Sequence, residues 1–123
     1  MESTEEILER LLKIASSFDD LDESEDSTLL KEVLDLRSSY SAEIAKLFGA
    51  MAQDQRLKDN PEIAQEFGKR FVETRHVVTD LQARWRMQQI EADPRGYLAE
   101  IKSVVALSEE VLRWGLTAVK SVG

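Results

Sequence analysis

Apolar positions along this chain recur in alternating steps of three and four residues. Between Pro61 and Asp93 the series is Phe67, Phe71, Thr74, Val78, Leu81 and Trp85. That spacing lays a stripe along one helix face and predicts a single long helix over 61–92. Gly68 interrupts it at a cost of about 1 kcal/mol against alanine, which weakens a helix without breaking it. The stretch 27–53 has the same period, through Leu30, Val33 or Leu34, Tyr40, Ile44, Leu47 or Phe48, and Met51. Arg37 stands in that stripe where an apolar residue is expected. Beside it runs a small-residue set, Ala42, Ala45, Gly49 and Ala52, that would let a neighbour come close. The most apolar stretch, 94–122, turns Ile101, Val104, Val105, Ser108, Val111, Leu112, Gly115, Leu116 and Val119 inward. Ser108 and Gly115, seven apart on that face, predict a close crossing with another helix. A shorter stretch, 4–18, carries Ile7, Leu8, Leu11, Leu12, Ala15 and Phe18.

Turn chemistry divides these helices. Ser3 with Glu6 fits a capping box ahead of the first helix. Asn60-Pro61 and Asp93-Pro94 each place a capping residue before a proline at the first helical position. At Asp93-Pro94 a tight corner with antiparallel return is the favoured reading, and a kink in one continuous helix the other. The stretch 54–59 reads as a frayed helix end. Six of the eight residues in 19–26 are acids, so this segment reads as a solvated linker, with Leu21 its one tie to a core. The resulting fold class is all-α. It is a single domain over 1–123, an antiparallel up-down bundle of three long helices plus a short N-terminal helix. That short helix is expected to cover only part of a groove between two long ones, leaving apolar surface open.

Charge changes the picture. The net charge is -8, with twelve acids and three bases in the first 35 residues and a nearly neutral remainder. Nonspecific nucleic-acid binding is therefore disfavoured, and neither a helix-turn-helix nor a zinc pattern appears. Cysteine is absent, which removes disulfides, thiolate ligands and cysteine nucleophiles. The first residues lack a basic region and an apolar run, so no signal peptide is read there. Charges through 97–122 argue against a membrane span, and a cytoplasmic location is the expectation.

Candidate chemistry is sparse. His76 is the single histidine, and Glu73 gives it one Glu-x-x-His unit where a di-metal bundle needs two. Asp20, Asp22, Ser24 and Asp26 fall at alternate positions of a calcium loop, but Glu25 stands where glycine is needed and Lys31 where the bidentate carboxylate belongs. The five glycines are scattered, so no phosphate loop exists. No cofactor and no enzymatic activity is expected.

The sequence thus points to a non-enzymatic interaction module, an adaptor or regulatory subunit. It would bind a protein partner or a second copy of itself, a homodimer being the simplest case, through the apolar faces of 61–92 and 94–122. Trp85, Tyr97, Val111, Leu112 and Trp114 are the expected contact residues, since tryptophan and arginine-flanked aromatics concentrate binding energy. Trp85 and Trp114 lie too far from the corner on opposite sides to touch. The alternative is a bundle binding a small apolar ligand in an internal cavity, with Arg37 and Tyr40 as its convergent polar groups.

Overall fold

The computed structural model describes residues 2–21 and 26–122. Among these, six helices follow one another without a strand: α1 (Thr4–Asp19), α2 (Asp26–Gln53), α3 (Gln55–Asp59), α4 (Pro61–Arg84), α5 (Met87–Ala92) and α6 (Pro94–Ser121). None of them is long and apolar enough to cross a membrane. Asp22 and Ser24 of the calcium-loop pattern lie outside the described residues.

Local chemistry accounts for most boundaries. Ser3 Oγ accepts a hydrogen bond from the Glu6 backbone N–H at 3.1 Å, capping α1. Asp93 caps α6 by accepting from the Gly96 N–H at 3.1 Å, with Pro94 in the first turn. The chain turns a corner there and α5 packs back on α6.

Three boundaries differ from the sequence pattern. The stretch 54–59 is a short helix, α3, capped by the Asp54 carboxylate, which accepts from the Arg56 N–H at 3.0 Å. Asn60 does not cap α4 with its side chain. Its carboxamide turns back instead and donates to the Arg56 carbonyl at 2.8 Å, closing α3. The expected single helix over 61–92 is broken at Trp85–Arg86 into α4 and α5. Neither glycine nor proline causes this break. A straight continuation would present Gln88 and Gln89 on the stripe, whereas the break lets α5 bury Ile90 to 1% exposure. Burying such a side chain stabilises by roughly 1.5–3 kcal/mol, enough to offset a lost helical hydrogen bond or two.

The short α1 is the largest departure. It is not a peripheral cover but lies between α2 and α6, with its most extensive packing on α6. Its apolar arc is wide enough to serve two neighbours: Ile7, Leu8, Leu11, Ala15 and Phe18 are all buried, with Leu8 and Leu11 at 0% exposure. Its direction opposes that of α2, since Thr4 Oγ1 donates to Asp54 at 2.7 Å and Arg10 Nε to Glu43 at 2.9 Å. α6 in turn packs on α4.

Two apolar clusters fill the interior. One gathers Phe18, Leu21, Val33, Leu81, Ile90, Tyr97 and Ile101, so Leu21 does tie the acidic segment to the core. The other holds Leu8, Leu47, Leu57, Phe67, Phe71, Leu112 and Val119. In the second, Gly115 of α6 lies directly against the ring of Phe67, and that crossing is closer than any side chain at 115 would allow. Ser108, buried on α6 between Val105 of one cluster and Val111 of the other, marks the seam between them.

Candidate docking cleft between two helices

α2, α1, α6 and α4 pack in that order, and the circuit is barely closed: α2 and α4 touch only weakly, Phe48 of one meeting Phe71 of the other. The sequence explains the gap. α2 turns Leu29, Val33 and Leu47 inward, and α4 turns Phe67, Phe71, Thr74 and Leu81 inward. The faces that the two helices offer each other are mixed and thinner, with Ser41 and Ala45 on one side and Val72, Arg75 and Thr79 on the other. The result is an open cleft of about 440 Å³ lined by these residues together with Tyr40, Ile44, Phe48, Phe71, Val78 and Gln82. Phe48 meets Phe71 edge-on at its far end, with ring centroids 5.9 Å apart. Tyr40 and Ser41 share the opposite end with Val78 and Gln82, so α2 and α4 run in opposite directions along it. Phe48 and Val72 remain 42% and 56% exposed along it.

Beneath that end lies an inner pocket of about 80 Å³. Its floor is Phe18, Ile101, Val105 and Ser108, and its mouth is formed by the same Tyr40, Ser41, Val78 and Gln82 that line the outer cleft. Arg37 and Tyr40, singled out from the sequence, both border it. Burial pushes the Tyr40 phenol up, partly offset by a hydrogen bond with Ser108. Burial also holds the neighbouring Tyr97 phenol up, at about 12, against the opposing pull of the Arg37 charge. Both phenols therefore stay protonated at neutral pH. They can donate hydrogen bonds but do not act as bases, and Arg37 supplies the only charge in the pocket lining.

Of the five expected interface residues only Tyr97 borders this pocket. Tyr97, Val111 and Leu112 are core residues at 2%, 7% and 0% exposure, so in this structure no partner can reach them as expected. Their stripe is spent on α1 and α4. Trp85 is half-buried at the α4–α5 break; its Nε1 donates to Glu100 Oε2 at 2.8 Å and its ring meets Tyr97 edge-on at 5.7 Å. Arg84 Nη1 donates to the same carboxylate oxygen at 2.7 Å. Trp114 is half-buried in the other cluster, edge-on to Phe67 at 5.7 Å. It also lines a depression between α4 and α6, but the Arg70 guanidinium lies over its ring, 4.4 Å from the centroid, and Arg70 Nε is held there by Glu66 at 3.0 Å. That face is already covered. His76 is exposed, and no group of three or more potential ligands is gathered among the described residues.

Phe48, Val72 and Arg75 are not among the contact residues expected from the sequence. For Phe48 the signal was present: it competes with Leu47 for one place in the α2 stripe, and only one of the two can face the core. For Val72 and Arg75 the helical period says only that they leave the buried face. No protein-family model, no curated protein and no solved structure matches this chain, so its function is read from the geometry of the cleft.

Proposed function

We propose that this chain is a non-enzymatic interaction module that receives one amphipathic helix of a protein partner in the cleft between α2 and α4. In this reading the three long rods and the short helix form an antiparallel up-down bundle with one seam left open, and the partner helix closes it. The observation that carries the reading is the sparse α2–α4 packing, which leaves Phe48, Val72 and Ile44 along an elongated trough. From Phe48 to Tyr40 the trough spans about 12 Å, roughly two helical turns at 1.5 Å per residue. Helix-in-groove recognition uses anchors at that repeat.

Self-association is the other form of partner that the chain admits. Two concave clefts do not fill each other, so an isologous dimer through this face buries little. A small apolar ligand is the second reading, favoured by the inner pocket and its neutral phenols. The pocket alone, about 80 Å³, is well below the roughly 300 Å³ at which ligand sites usually begin.

The test is site-specific photocrosslinking in the cell of origin, with the photoreactive side chain at Ala45, which is exposed and lines the cleft. The expected adduct maps by mass spectrometry to a helical segment of a second protein and disappears when Phe48→Asp is added. Adducts that survive Phe48→Asp, or that map to this chain itself, would refute helix docking by a foreign partner.

A further inference from the structure

Within the docking reading, we propose that the partner helix carries a single large aliphatic anchor that enters the inner pocket, and acidic residues on both of its flanks. Two features of the cleft specify that chemistry.

The first is shape. The inner pocket opens into the trough through Tyr40, Ser41, Val78 and Gln82, and its floor is apolar except for Ser108. Its volume of about 80 Å³ is smaller than the roughly 150 Å³ engineered cavity that accepts benzene. One leucine- or isoleucine-sized side chain suits it, and a fused ring does not. A knob entering from a helix in the trough would be desolvated against this apolar floor, the setting in which interface anchors contribute most.

The second is charge. Arg10, Arg56, Arg70, Arg84 and Arg113 each meet a carboxylate within the chain. Arg37 and Arg75, which border the cleft and pocket, have no ion-pair partner among the described residues, and no Asp or Glu lines either space. This holds in a chain whose net charge is -8. The two cations stand on opposite banks, Arg37 on α2 and Arg75 on α4. Arg75 lies level with Ile44, so the two are offset by about 10 Å along the trough, seven residues at 1.5 Å each. Acids on opposite flanks of one partner helix, about two turns apart, would meet both. Such pairs select a partner and speed its encounter more than they deepen affinity.

The test uses three labelled 16-residue helical peptides of one apolar stripe, read by fluorescence anisotropy against the full chain at low salt. One has a central leucine anchor with glutamate flanks, one the same anchor with lysine flanks, and one the glutamate flanks with alanine at the anchor. Nonspecific attraction to a chain of charge -8 would favour the lysine peptide, so a preference for glutamate must be local. The glutamate peptide is expected to bind about tenfold tighter than the lysine peptide, and the combined Arg37→Gln and Arg75→Gln variant to lose that preference. Loss of the anchor is expected to weaken binding about tenfold. Val72→Asp, an exposed site that leaves the fold intact, should abolish binding of all three. Equal binding of the three, still abolished by Val72→Asp, would overturn this inference and leave the docking reading in place. Absence of saturable binding by any peptide would overturn both, as would decanoate saturating the pocket while no peptide binds.

Discussion

Gly115 and Phe67 meet at a close helix crossing: a Cβ at 115 would come to 2.3 Å from Cζ of the phenyl ring. Phe67 cannot retreat, because it is 0% exposed, stacks on Phe71 at 4.9 Å and carries the edge of Trp114 on its other side. Gly115→Ala is therefore expected to destabilise the fold. Overpacking costs about 1–3 kcal/mol, offset by up to about 1 kcal/mol of better helix propensity. Gly49 and Gly68 are also helical but have nothing within reach of an added Cβ. Their alanine variants should each gain about 0.5–1 kcal/mol. Thermal unfolding of the three variants checks the opposite signs.

Acid should loosen the joint between α1 and α3. The Asp54 carboxylate accepts from Arg56 and from Thr4, and these bonds hold its pKa down at about 2, from a usual value near 3.8. The Arg56 guanidinium beside it also binds Glu5, whose pKa is lowered for the same reason. A depressed folded-state pKa means that stability is fully present above pH 4 and is lost as pH falls through 2. Asp54→Asn is expected to cost about 1–2 kcal/mol at pH 7, discounted for the partial exposure of Arg56, and to flatten stability between pH 4 and 2. Denaturant midpoints at pH 7, 4 and 2 measure both.

Arg10 should matter through Glu43 and not through Glu2. Burial alone would raise the Glu43 carboxyl, but hydrogen bonds from Arg10 and Lys46 outweigh it and hold the pKa below the usual range. Glu43 is 9% exposed, so removing Arg10 leaves a nearly buried carboxylate with Lys46 as its remaining base. Arg10→Ala is expected to cost about 1–2 kcal/mol. Glu2→Ala, on an exposed pair with the same arginine, should cost under about 0.5 kcal/mol. A double-mutant cycle of Arg10→Ala with Glu43→Gln isolates the pairing.

The fold was legible where periodicity and capping act locally. The stripes of α2, α4 and α6, the Ser3 and Asp93 caps and the corner at Pro94 all follow from neighbours within a few residues. The break at Trp85–Arg86 goes with the burial of Ile90 and with the bonds of Arg84 and Trp85 to Glu100, sixteen and fifteen residues away, which no local rule contains. One trace of it was visible: Ile90 is five residues past Trp85, out of step with the stripe. The place of α1 depends not on its length but on how wide an arc its apolar residues span, which lets it pack on both α2 and α6. The site was hardest. Tyr97, Val111 and Leu112 look alike in sequence whether an apolar stripe meets its own chain or another. Arg37 and Tyr40 stood out because a cation on an apolar stripe must find an outlet, and the cleft provides one.

The seating of α1 between α2 and α6 also sets when this protein can fold. α1 finds its main neighbour in α6, so until α6 has emerged from the ribosome Leu8 and Leu11 have no complete groove to enter. Folding of this bundle is consequently completed only once α6 is available. Until then the greasy side of the leading helix is open to chaperones.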